Sequence, residues 1–192
     1  MDIVMSPAEI ELYAEVLAKK TKLVEFGCGG STLIAVRSKL IQIHTVDSSL
    51  EWLKEIQKQP EIADAKISGR LHLHWADIGE VKAWGIPVDD TARRRWLLYW
   101  SQVWRHADPA ATDVVFIDGR FRISTAIYAA LILPPDAVIV IHDFWSRPQY
   151  HVVLDFLQCM DRVDEIAVFT RKPDADRKLM LGCVINHALV WS

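Results

Sequence analysis

The chain has 192 residues, with 22 Lys+Arg against 25 Asp+Glu and a formal net charge of −3. With 51% hydrophobic residues it can bury a sizeable core as one domain over residues 1–192, and its Gly and Pro counts of 8 each exclude collagen-like and low-complexity chains. The slight acidity argues against nucleic-acid binding through bulk charge; the longest apolar windows fall short of the ~18 residues of a transmembrane helix.

Ser6 can cap, and Pro7 can open, a first helix within residues 1–20, with Ile10, Tyr13, Ala14 and Leu17 on one stripe. Lys22 to Phe26 reads as a strand, and Gly27 to Gly30 as a glycine turn. Ser31-Thr32 starts a helix through Leu33, Ile34 and Val36. Ile41 to Val46 is a second strand ending at Asp47, and Ser48-Ser49 caps a helix carrying Leu50, Leu53 and Ile56. Arg70 to Trp75 is a third strand ending near Asp77.

Residues 78–112 form an inserted helical segment, with a helix expected from Asp89 to His106. Trp96, Trp100 and Trp104 fall on one face of that helix, as core, as a subunit contact or as an acceptor pocket. A homodimer through this face is compatible with the pattern. Trp84-Gly85-Ile86-Pro87 reads as a rigid turn ahead of it. Asp113 to Ile117 is a fourth strand ending at Asp118; Phe121 to Leu133 is helical and stops at Pro134-Pro135. Ala137 to Ile141 is a fifth strand ending at His142-Asp143, and Gln149 to Met160 is helical. Val163 to Thr170 and Leu179 to Ile185 read as two strands around a turn, which must pair antiparallel. The whole is a doubly wound α/β sheet of seven strands, mostly parallel, closed by a C-terminal antiparallel hairpin.

Cys28, Cys159 and Cys183 are far apart and odd in number, so a disulfide framework or structural zinc is not expected. The first residues lack a basic segment followed by an apolar one, and a cytoplasmic location is the expectation.

Four strands end in an acidic residue or a His-Asp pair, where ligands of open parallel sheets bind. Glu25-Phe26-Gly27-Cys28-Gly29-Gly30-Ser31-Thr32 links a strand to a helix N-terminus, and Asp47 ends the next strand, where a carboxylate can accept both hydroxyls of a ribose. A dinucleotide turn would want a small residue where Thr32 stands, and Glu25 would repel a pyrophosphate. An acidic residue suits a ligand with an amino group and a sulfonium.

In these residues the chain resembles the class I S-adenosylmethionine-dependent methyltransferases. The motifs are Glu25-Phe26-Gly27-Cys28-Gly29, Thr45-Val46-Asp47-Ser48, Trp75-Ala76-Asp77-Ile78 and Phe116-Ile117-Asp118-Gly119. The resemblance implies S-adenosylmethionine as donor. Its contacts would come from Glu25, Gly27, Cys28, Gly29, Ser31, Asp47, Ser48, Asp77 and Ile78, with Asp118 at the boundary to the acceptor. Some small-molecule O-methyltransferases of that family hold Mg²⁺ with acids after strands four and five, which here would be Asp118 and Asp143. His142 departs from that pattern, and acts as a metal neighbour, a base or a structural histidine. Asp118, His142 and Asp143 are the candidate catalytic residues. Arg120, Arg122, Trp84 and Arg147 are candidates for holding the acceptor.

The expected activity is methyl transfer to a small molecule, at oxygen. The alternatives are a silent member of the fold that binds the cofactor or a protein partner, and a nicotinamide oxidoreductase, against which Thr32, Glu25 and the terminal hairpin speak.

Overall fold

The computed structural model describes residues 3–191. Helix α1 (Pro7–Leu17) begins at a capping box: the Ser6 side chain accepts the Glu9 N–H, and the Glu9 carboxylate accepts the Ser6 N–H. Next come β1 (Lys22–Phe26), α2 (Gly30–Arg37), β2 (Gln42–Asp47), α3 (Leu50–Ile56), α4 (Pro60–Ile67) and β3 (Leu71–Trp75). After the insert, with its single α turn α5 (Leu98–Ser101), follow β4 (Val114–Ile117), α6 (Arg122–Ile132), β5 (Val138–Ile141), β6 (Leu157–Val163), β7 (Ile166–Arg171) and α7 (Arg177–His187).

The strands form one seven-stranded sheet in the order β3-β2-β1-β4-β5-β7-β6. The first five are parallel; β7 runs antiparallel to β5 and to β6. The chain winds outward from β1 in one direction and from β4 in the other, so the carboxyl ends of these neighbours are the topological switch point. One face is covered by α1, α2, α3 and α4 over Leu23, Ile43, Phe116 and Val140. The other is covered by the insert, α6 and α7 over Val24, Phe26, Ile117 and Ile139.

Three expected elements differ. Asp89 to His106 is not one helix but a chain of short turns: a 3-10 turn at Arg93–Arg95, α5, and a 3-10 turn at Gln102–Arg105. The arginines are good helix formers, but the bulky rings of Trp96, Tyr99, Trp100 and Trp104 are only middling ones, so intrinsic propensity does not impose one helix. Trp96, Tyr99, Trp100 and Val103 are each buried against the sheet, so tertiary packing holds it in place. Trp104 packs against the same core, which is the packing role for the tryptophan stripe.

Gln149 to Met160 is likewise not a helix. Pro148–Asp155 is a 3-10 stretch, and Leu157 already belongs to β6. The terminal hairpin is therefore β6 with β7, turning at Asp164-Glu165, where Asp164 takes a left-handed φ of 45°. Leu179 to Ile185, read as a strand, lies within α7. Asp176 caps that helix through the N–H groups of Lys178 (2.7 Å) and Leu179 (3.2 Å), and Met180, Cys183 and Val184 pack inward at helical spacing. Helix α4, opened by Pro60 with Ile62 and Ala65 buried, was not anticipated.

At the far edge, four imidazoles form a ladder between sheet and insert. His44 stacks on His72 (4.7 Å between centroids) and on His74 (5.1 Å), and His74 stacks on His106 (5.2 Å). Burial and the neighbouring rings push His44 and His74 down to about 4.

Candidate functional site

A cavity of about 800 Å³ opens at the switch point. Its floor is the glycine turn, Gly27, Cys28, Gly29 and Ser31. Its walls are Asp47, α3, the turn after β4 (Asp118, Gly119, Arg120) and the loop 82–85. The two floor turns touch. Gly27 has φ +90°, and a Cβ there would meet the Gly119 backbone nitrogen at 2.6 Å; a Cβ on Gly119 would collide with the Tyr99 hydroxyl. Only glycines allow these backbones to approach so closely.

Asp47 lines the cavity as expected. Its Oδ1 accepts the Ser49 N–H (2.8 Å), and its Oδ2 accepts the Cys28 N–H (3.2 Å) and the Cys28 thiol (3.4 Å). Burial pushes its pKa up, against these bonds, which favour the carboxylate. An ionised carboxylate has about four lone-pair sites, so about one remains for a ligand, and a second opens when the Cys28 thiol turns away. Cys28 is a small filler beside it: burial and the Asp47 charge push its thiol well up, which works against a thiolate.

Sequence reasoning did not single out α3. Trp52 donates its indole N–H to the Cys28 carbonyl (2.7 Å), setting an aromatic ring beside the glycine turn, and Glu51 and Glu55 line the same wall. The signal was available: a tryptophan in the first turn of the helix after the strand-end acid. Opposite stands Trp84, 77% exposed, with φ +63°. Its loop is closed by the Lys82 N–H to the Ile86 carbonyl (2.7 Å) and a bridge between Val81 and Pro87.

Glu25, Ser48, Asp77 and Ile78 do not reach the cavity wall. Glu25 is fully buried behind the glycine turn and accepts three hydroxyls, from Ser31 (2.6 Å), Thr32 (2.7 Å) and Thr45 (2.7 Å). It ties β1, β2 and the start of α2 together. Burial raises it to about 7, against the three hydroxyls, which favour its charge. Ser48 is buried and its carbonyl is held by the Trp75 indole (3.0 Å). Asp77 pairs with Arg95 of the insert and accepts the Gly79 N–H (3.1 Å); Ile78 belongs to the core. Arg95 of the insert thus occupies the acid that the resemblance assigned to the donor.

Asp118, His142 and Asp143 are brought together, with a potential ligand atom from each within 4.8 Å of the others. The group is already neutralised by protein cations. Arg122 Nη2 lies 3.0 Å from Asp118 Oδ1 and 3.3 Å from Asp143 Oδ2, and Arg147 Nη2 lies 2.6 Å from Asp143 Oδ2. Two carboxylates facing two guanidiniums leave no net charge for a divalent ion, and a buried imidazole is a poor Mg²⁺ ligand. These residues do not fit a metal. His142 is 6% exposed, with Nδ1 3.1 Å from Asp118 and Nε2 3.6 Å from the Glu9 carboxylate. Burial would lower its pKa, but the bond to Asp118 and the charges of Asp118, Asp143 and Glu9 outweigh it and raise it.

The two arginines after β4 part company. Arg122 is 3% exposed and gives its donors to the carbonyls of Gly119 (2.9 Å), Asp118 (2.8 Å) and His142. Its donors are taken up within the protein, and it does not line the cavity. Arg147 is half-spent on Asp143. Arg120 alone of the three lines the cavity.

This sheet order, with a lone antiparallel β7 between β5 and β6 and a glycine turn at the switch point, defines the class I methyltransferase fold. No protein-family model matches the chain and no curated protein matches it. Among solved structures it is similar to a methyltransferase-like protein from Silicibacter pomeroyi, at 26% identity and TM-score 0.85, over 98% of this chain and 97% of that one. It is also similar to the O-methyltransferase TomG of Streptomyces achromogenes in complex with S-adenosylmethionine, at 17% identity and TM-score 0.56, over 89% and 82% of the two chains. An RNA methyltransferase from Salinibacter ruber, in complex with S-adenosylhomocysteine, shares 14% identity and a TM-score of 0.52 over 91% and 99%. The class I methyltransferase fold is thereby shown. The last two neighbours differ in acceptor, so the fold does not name it. Among the described residues no helix is long and apolar enough to cross a membrane.

Proposed function

We propose that the chain transfers a methyl group from S-adenosylmethionine to an oxygen of a small-molecule acceptor. The carrying observation is the cavity at the switch point, where Asp47 keeps acceptor capacity above a glycine turn held open by Glu25. In this reading Asp47 takes the ribose hydroxyls, the Gly27–Gly29 backbone lies under the amino-acid end, and Trp52 and Trp84 flank the nucleoside.

Methyl transfer breaks one S–C bond and forms one O–C bond in line, so the protein's work is to position, to exclude water and to receive the acceptor proton. Asp118 lines the cavity, and its side-chain bonds to His142 and Arg122 run through Oδ1. Its Oδ2 is the group for an acceptor hydroxyl. His142 and Asp143 act through it as positioning residues, clamped by Arg122, Arg147 and Glu9. The net charge of −3 favours a small acceptor over a polynucleotide.

The test is a thermal-shift titration with S-adenosylmethionine and S-adenosylhomocysteine, with NADH as control. Ligand at 100 times its Kd adds ~2.7 kcal/mol, or roughly 5–10 °C for a domain of this size. A shift with the sulfonium pair alone supports the donor site; no shift overturns it. Binding without turnover across hydroxylated acceptors supports the silent, cofactor-binding alternative.

A further inference from the structure

Arg120 carries a charge for which the protein supplies no partner. Asp47, Glu51, Glu55 and Asp118 line the same cavity. Yet among the described residues no carboxylate pairs with Arg120, while Asp118 and Asp143 pair with Arg122 and Arg147. Its Nε is buried without a hydrogen-bond partner. Buried donors are normally satisfied, and an orphan on a cavity wall is one that a ligand can satisfy.

The position is built rather than incidental. The Arg120 N–H donates to the Tyr99 hydroxyl (3.3 Å), and Tyr99 is 1% exposed in the core. Gly119 must be glycine for Tyr99 to sit there. The insert thus reaches under the turn after β4 and fixes where the Arg120 stem departs. Burial and the like charges of Arg122 and Arg147 lower its pKa, partly offset by Tyr99 and Tyr150. A guanidinium nevertheless stays charged in water. An anion in the cavity would relieve both the repulsion and the orphan donor, and a planar fork suits a carboxylate or phosphate.

We propose that Arg120 is the anion-recognition residue of the cavity, taking a carboxylate or phosphate group. The anion is either the carboxylate at the amino-acid end of the donor or an acidic group on the acceptor; the assignment of these sources rests on the methyltransferase reading above.

Calorimetry on wild type and Arg120→Met with three ligands separates the cases. S-adenosylhomocysteine carries the amino-acid carboxylate, methylthioadenosine has the nucleoside without it, and inorganic phosphate, added to the methylthioadenosine complex, stands for an acceptor anion. Loss of one charge-assisted bond weakens binding about tenfold to a hundredfold. If the donor supplies the anion, Arg120→Met loses that much affinity for S-adenosylhomocysteine and none for methylthioadenosine. If the acceptor supplies it, both nucleosides bind unchanged and phosphate binding is lost. Equal affinity of variant and wild type for all three overturns the proposal, as does an equal loss for both nucleosides with phosphate binding unchanged. Failure of wild type to bind either nucleoside sinks the methyltransferase reading instead; phosphate binding to the protein alone, lost in Arg120→Met, then still supports the anion site, and its absence overturns it. Should Arg120→Met not fold, Arg120→Gln, which removes the charge but keeps a polar head group, is read the same way.

Discussion

Where β1, β2 and β4 end at the cavity, polar side chains keep hydrogen-bonding capacity open, whereas behind the ends of β4 and β5, against α1, the same residue types are spent on one another. Asp47 and Arg120 belong to the first region. Asp143, Arg122, His142 and Glu9 belong to the second, and Asp118 joins the two, with Oδ1 in the network and Oδ2 left for the cavity. A residue type at a strand end therefore does not by itself make a ligand site. Arg120 and Arg122 are two residues apart, and the difference between them is whether neighbouring carbonyls and carboxylates have already taken their donors.

Removing Arg122 is the largest expected effect, because it leaves two carboxylates and three carbonyls partly unpaired. Arg122→Met should lose ~3–5 kcal/mol of stability in urea unfolding. Arg120→Met should lose less than ~1 kcal/mol, since it removes no bond within the protein. Equal losses would erase the distinction between the regions. Next is Asp47→Ala, expected to weaken S-adenosylhomocysteine by about a hundredfold or more from the loss of two charge-assisted bonds. Retained affinity would move the donor site elsewhere.

Glu25 sharpens the comparison through pH. It is raised from 4.5 to about 7, so the folded state binds the extra proton in that window. Its contribution is full below 4.5 and is lost as pH rises to about 7. Glu25→Gln should remove this fall in stability with rising pH, seen as a flatter Tm profile. The histidine ladder works with the opposite sign. His44 and His74 are lowered from 6.5 to about 4, so their contribution is full above 6.5 and is lost as pH falls towards 4. His74→Gln should reduce the acid-side loss, and an unchanged profile would remove the ladder from the account. The smallest expected effect concerns the Asp118–His142–Asp143 group: millimolar Mg²⁺ or a chelator should leave the Tm where it is, and a Mg²⁺-dependent rise would mean that Arg122 yields its place to the ion.

Much of the sheet was legible because five parallel strands are short apolar runs ended by polar residues, and the motifs sit at their carboxyl ends. The C-terminal part was harder. Leu179 to Ile185 is rich in apolar and β-branched residues, and period alone does not separate a buried helix from a strand there; the Asp176 cap was the better signal. The insert misled through its tryptophans, whose helical spacing is satisfied by successive short turns because each ring finds its own place on the core.

The sequence by itself determined the succession of the five parallel strands along the chain, the glycine turn and the acids at the strand ends, since local patterning and turn chemistry are written in consecutive residues; their order in the sheet came from the tertiary structure. Only the tertiary structure decided which of those polar groups are available. Glu25 was turned behind the turn by three hydroxyls from two other elements. Asp77 was claimed by an arginine eighteen positions on, at Arg95. Arg122 was consumed by its own turn at Asp118 and Gly119 and by His142 and Asp143 after β5, while Tyr99 of the insert holds the Arg120 backbone and leaves its side chain open. Hydrogen-bond capacity is a property of what surrounds a side chain, and those surroundings come from distant parts of the chain.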